Sequence, residues 1–270
     1  MRLPCLFIIM KKKNKSLKIT LIVVLIITIL CGVFVIKKIS KNDVDNNNKD
    51  EVIEDIVENN HEYDDLIKLY EENKNINDDY VGQLYFDSKL IDLPVVQGDT
   101  NDEYMSTDWK TMEYDIGGTI FVDCSNKIDT DQNIIIYGHN FNTSFDPNSE
   151  KMFSPLRILR EKDNYEDNKI INLFLGDRLL RYQIYATYRV KIVTEDGVQY
   201  IAEDEPIYVI CNYTNDEFDD YIKRVKERQY YDTGMNVENY DRLLTLQTCI
   251  DGQEDKYIIL SKLIDEIDVN

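Results

Sequence analysis

NIIIYGHN, residues 133–140, and RLLTLQTC, residues 242–249, decide the fold, because each is an apolar β-type run that stops at a polar turn. Short apolar runs bounded by Gly, Asn, Asp or Ser read as buried strands. Working outward, the same texture predicts strands at Gly82–Phe86, Leu93–Val96, Gly118–Val122, Asn133–Tyr137, Lys169–Leu175, Leu179–Val190, Pro206–Cys211, Leu243–Thr248 and Lys256–Leu263. Gly176-Asp177 has the composition of a tight hairpin turn between two of them. Helical patches are expected at Asn101–Thr107, Lys151–Arg160 and Glu217–Arg228. Many short strands with few helices predict a mostly β fold, a closed or nearly closed barrel rather than alternating βαβ units.

Upstream of Tyr80 the texture differs. Residues 17–36, LKITLIVVLIITILCGVFVI, carry a single charge, Lys18, over a length that spans the hydrocarbon core of a bilayer. They read as a transmembrane signal anchor, since IKKISKND after them offers no small-x-small cleavage site. More cations precede the span than follow it, which places residues 1–16 in the cytoplasm and the remainder outside the cell membrane. Met10, followed by KKKNKSLK, is an alternative start. Residues 37–50 form a polar linker, 51–79 an N-terminal helical region, and 80–270 the barrel.

Nine of the 31 basic residues lie in residues 1–41, which hold no Asp or Glu, so the rest of the chain sets 22 cations against 51 acids. That surface repels polyanions and argues against nucleic acid as a partner. The cysteines are Cys5, Cys31, Cys124, Cys211 and Cys249; three follow the span, so at least one is unpaired within the chain. A Cys124–Cys211 disulfide is compatible with this count but not required by it. No His/Cys/carboxylate set has metal-ligand spacing and no glycine-rich phosphate loop is present, so no metal and no cofactor are expected.

Two residues carry chemistry. His139 follows one apolar run and Cys249 ends the other, so both are expected where a rigid strand gives way to a loop. A thiolate can attack a carbonyl, and an imidazolium can protonate the departing amine. Sequence spacing alone does not bring the pair together in space. The other histidine, His61, sits in an acidic helical stretch and reads as a surface residue.

IIIYGHN at 134–140 and LLTLQTC at 243–249 resemble the histidine and TLxTC cysteine signatures of sortases. PVVQGDTNDEYMSTDWKTMEYDIGGTIFVD at 94–123 and KMFSPL at 151–156 are similar to the corresponding stretches of class B sortases, and the likeness runs from about Tyr80 to Ile264. The resemblance implies an eight-stranded β-barrel with N-terminal helices and a helix before the cysteine strand. It implies a cysteine transpeptidase that cleaves a C-terminal sorting motif after threonine. A thioacyl enzyme then passes the surface protein to an amine of a cell-wall precursor. A pilin polymerase, or a non-catalytic module that kept the barrel, are the alternatives. The order argues against a papain-like protease, where the cysteine precedes the histidine, whereas here His139 comes first.

The family carries an arginine on the strand after the cysteine, and alignment puts Lys256 there. A lysine supplies charge without a planar two-pronged donor, so the exchange is not conservative. Arg189 and Arg242 are the other arginines that could serve. Thr248, Gln247, Tyr137 and Asn140 flank the pair and are expected to help bind or orient the substrate, while Trp109 reads as packing.

Overall fold

A computed structural model describes residues 63–142, 146, 148–250 and 255–269, which fall within one compact unit, 59–270. The expected cytoplasmic segment, membrane span and linker, the stretch 51–62 with His61, and the polar loop 251–254 lie outside the described residues.

Eight strands close into a barrel: β1 (Tyr80–Phe86), β2 (Asp92–Val96), β3 (Ile120–Val122), β4 (Asn133–Tyr137), β5 (Ile170–Phe174), β6 (Arg178–Val190), β9 (Leu243–Cys249) and β10 (Lys256–Asp268). Their order around the barrel is β1-β2-β3-β4-β9-β10-β6-β5. β7 (Ile192–Glu195) and β8 (Val198–Ile201) form a separate hairpin. The pairs β2–β3 and β4–β9 are parallel, and the other barrel pairs are antiparallel. Closure leaves the barrel itself no free edge.

β4 and β9 read as apolar-rich runs because both of their faces are covered. Ile134, Ile136, Leu244 and Leu246 enter the barrel core with Leu84, Ile184 and Ile259. On the outer side Leu243 packs with Phe218 and Tyr221 of a helix, and buried Asn133 accepts a 2.8 Å hydrogen bond from Thr245 Oγ1. The β5–β6 connection is the expected two-residue turn, with Gly176 at φ +93° and Leu175 N donating to Arg178 O at 2.9 Å.

Helix α1 (Asp64–Ile76) covers part of β1, α2 (Tyr165–Asn168) is a single turn, and α3 (Asn215–Arg228) precedes the cysteine strand. α3 begins with a capping box: Thr214 Oγ1 accepts from Glu217 N, and Glu217 Oε2 accepts from Thr214 N at 2.8 Å. Phe218, Tyr221, Ile222 and Val225 form its buried stripe. Thr214→Ala is expected to cost about 1 kcal/mol, read as a lower urea midpoint at unchanged slope. An unchanged midpoint would remove the cap from the account.

Two expected elements do not form. Asn101–Thr107 is a series of turns, closed by i→i+3 bonds from Glu103 N to Thr100 O at 3.4 Å and from Met105 N to Asp102 O at 3.3 Å. Tyr104 O accepts from Thr119 N at 3.0 Å, and Met105 O contacts the His139 ring. Pro206–Cys211 is an extended strap without a ladder. The side-chain amide of Asn133 donates to Tyr208 O at 3.1 Å and Ile210 O at 3.0 Å, while Asn133 N donates to Cys211 O at 2.9 Å. The patch 151–160 forms a 3₁₀ helix over Ser154–Arg160, with Pro155 in its first turn.

Candidate active site

The parallel register of β4 and β9 pairs Tyr137 with Gln247, and Gly138 N still donates to Gln247 O at 3.1 Å. Two residues later on each strand come His139 and Cys249, which leave the barrel side by side at the same rim. β10 returns antiparallel and sets Lys256 opposite Cys249, with Nζ 3.5 Å from Sγ. His139, Cys249 and Lys256 line one cleft of ≈ 380 Å³, together with Met105, Phe121, Tyr137 and Gln247. Sulfur, imidazole and ammonium therefore converge, which is the set that thiol acyl transfer needs.

The histidine loop is held from beneath. Phe153 N donates to His139 O at 2.9 Å, Phe141 N to Ser154 Oγ at 2.7 Å, and Asn142 Nδ2 to Ser154 O at 2.9 Å. Gly138 is required by this contact, since a Cβ there would lie 2.6 Å from the Phe153 ring. Asn140 does not line the cleft; its Nδ2 donates to the Cys249 carbonyl at 2.8 Å and ties the histidine loop to the cysteine strand.

Tyr137 presents its ring to the cleft and sends its hydroxyl to Asp123 Oδ2 at 2.7 Å. Burial, reinforced by that carboxylate, pushes the phenol far above its usual range, so it remains a proton donor. Burial alone would raise the Asp123 carboxyl, but hydrogen bonds from Ser125, Tyr137 and Asn101 outweigh it and hold Asp123 below the usual range. A depressed folded value means that this stabilisation is complete above the unfolded value of ~3.9 and fades as pH falls through the folded one. Asp123→Asn is thus expected to be less stable than wild type at neutral pH and to lose less stability below about pH 4. Urea midpoints at the two pH values test this; equal pH dependence would remove Asp123 from the account.

Gln247 lines the cleft, and its Oε1 accepts from the hydroxyl of buried Tyr208 at 3.1 Å. Thr248 is not brought to the cleft. Strand alternation turns it away from Cys249, and it is 2 % exposed, so packing describes it better than substrate contact. Neither alternative arginine reaches the cleft. Arg189 donates to Asp255 at 2.6 Å, and Arg242 pairs with Glu266 at 2.9 Å. Trp109 packs beside Val96, Tyr104 and Phe121, as expected.

The cleft also includes residues that sequence reading did not single out: Asn101, Met105, Thr119, Phe121 and Gln199. Four of them lie in the 94–123 stretch, whose likeness to class B sortases was the available signal. Gln199 comes from the β7–β8 hairpin, where nothing in the sequence marked it.

The model of the sortase domain matches residues 84–264, about two thirds of the chain. The chain belongs to the sortase family. It is 30% identical over 193 residues to sortase B of Listeria monocytogenes, covering 70% of this chain and 71% of that one. Sortase B of Staphylococcus aureus is 26% identical over 200 residues, covering 72% and 74%. Among solved structures, Clostridium perfringens sortase B superimposes with a TM-score of 0.60 at 28% identity, covering 72% of this chain and 99% of the other. The eight-stranded barrel with a helix before the cysteine strand is the fold these sortases share, and the chain is a cysteine transpeptidase of class B.

Proposed function

We propose that this sortase cleaves a C-terminal sorting motif after threonine and transfers the surface protein to an amine of a cell-wall precursor. Cys249 is the nucleophile, His139 the acid/base and Lys256 the cation beside the reacting centre. The convergence of these three side chains in one cleft carries the reading. The His139 base takes the Cys249 proton as sulfur attacks the threonine carbonyl. The imidazolium then returns that proton to the departing amine, and a thioester remains. The acceptor amine attacks it, giving its proton to His139 while the sulfur leaves and is reprotonated.

A sortase B structure with bound triglycine makes a glycine amine a reasonable acceptor chemistry to test first. The apolar segment 17–36 supports a single-pass enzyme with the barrel outside the cell membrane, where exported substrate and acceptor meet. The test is a panel of threonine-containing sorting peptides offered to the purified protein. Cleavage after threonine, with hydroxylamine accelerating release as the hydroxamate, is expected. A glycine oligomer and a lysine-bearing peptide then compete for the acyl group, and preference for the lysine would favour a pilin polymerase. No cleavage of any peptide, together with slow and unselective alkylation of Cys249, would overturn the reading in favour of a non-catalytic module.

A further inference from the structure

His139 Nε2 lies 2.8 Å from the main-chain oxygen of Met105. A carbonyl can only accept, so Nε2 must carry the proton, and the lone pair of the neutral ring then sits on Nδ1. No Asp or Glu lines the cleft among the described residues.

The carbonyl itself is held rigidly. Met105 N donates to Asp102 O at 3.3 Å, and Thr119 N to the neighbouring Tyr104 O at 3.0 Å. Thr119 Oγ1 donates to Thr107 O at 2.9 Å and accepts from Trp109 N at 3.0 Å. Gly118, at φ +55°, is packed so closely that an added Cβ would lie 2.5 Å from both the Met105 and Tyr104 oxygens. Tyr104 is buried beneath the turn, its hydroxyl donating to Asp79 at 2.7 Å.

We infer that the Met105 carbonyl orients His139, fixing it as the Nε2–H tautomer and reserving Nδ1 for proton exchange with Cys249 and the leaving amine. The inference rests on the assignment of Cys249 and His139 above. In acylation, Nδ1 accepts the thiol proton as the C–S bond forms, and it returns the same proton to nitrogen as the C–N bond breaks. The Nε2–H bond to Met105 stays intact throughout, so the ring exchanges its proton without turning.

The chain has two histidines, so the tautomer can be read directly. Full-length protein labelled with ¹⁵N-histidine, in detergent micelles at about pH 8.5, two units above the ordinary imidazole value, should show His139 with a protonated Nε2 and an unprotonated Nδ1. His61→Asn supplies the assignment. Met105→Leu should keep this tautomer, because the bond is to the main chain. Gly118→Ala should replace it with an averaged mixture and lower kcat on the order of 10²-fold at nearly constant KM. A wild-type Nδ1–H tautomer, an evenly averaged ring, or loss of Nε2–H in Met105→Leu would overturn the inference. If Gly118→Ala does not fold, the wild-type tautomer alone decides. Normal peptide cleavage with an Nδ1–H ring would refute only the orientation, whereas a fixed Nε2–H ring without cleavage would refute the catalytic reading.

Discussion

Cys249→Ala is expected to abolish both cleavage and transfer, and His139→Ala to reduce turnover by roughly 10⁴-fold or more. Removing the sulfur removes the atom that forms the thioester, so no alternative route through the same cleft remains. Removing the imidazole leaves a thiol without a partner to take its proton and an amine without a donor to leave on. The two residues act in one step, so the double variant should be about as inactive as Cys249→Ala alone, far from the product of the separate losses. Neither change should unfold the barrel. Both side chains stand at a strand end, partly exposed on the cleft, where truncation shifts stability by about 0.5 kcal/mol or less. The decisive measurements are peptide turnover and mass spectrometry of the acyl-enzyme, with urea midpoints as the control for folding. Residual turnover above about a hundredth of wild type in Cys249→Ala, far beyond what a lost nucleophile permits, would show that another group attacks the carbonyl.

The strands that carry this chemistry were legible in the sequence because they are buried on both sides. NIIIY and LLTLQTC are apolar-rich runs that end where polar residues begin, and the structure ends β4 at Tyr137 and β9 at Cys249. Their pairing was not legible from residue pattern. Parallel neighbours joined by a long connection leave no local trace, unlike the Gly176-Asp177 hairpin. The misread segments differ in kind: 206–211 is held as a strap by hydrogen bonds from distant Asn133, whereas 101–107 closes i→i+3 turns instead of a helix. Pro206–Cys211 looked like a strand because PIYVIC is a short continuous apolar run, yet Ile207 and Val209 face solvent while Tyr208 is buried beneath Gln247. Asn101 and Met105 of the first segment and Gln199 of the β7–β8 hairpin wall the cleft, so sequence located the reacting atoms better than the surface that surrounds them.

Lys256→Ala is expected to lower kcat by about 10²–10³-fold with little change in KM, the loss typical of one donor aimed at developing charge. The structure motivates this directly: the ammonium lies 3.5 Å from the sulfur, on the strand paired with the cysteine strand, and neither Arg189 nor Arg242 reaches the cleft to take its place. Lys256→Gln keeps a donor but removes the charge, so it separates hydrogen bonding from electrostatics and should fall between alanine and wild type. Lys256→Arg restores the group usual in the family. A planar fork can reach the sulfur and the oxyanion together, whereas an ammonium acts as a point charge, so arginine should match or exceed wild-type turnover. If Lys256 were an ordinary strand-end charge, all three variants would stay within about fivefold of wild type, since exposed charges contribute about 1 kcal/mol or less. That pattern would transfer the oxyanion role to main-chain donors. A graded series, alanine below glutamine below lysine, would instead show that this sortase performs with an ammonium the task its relatives assign to a guanidinium.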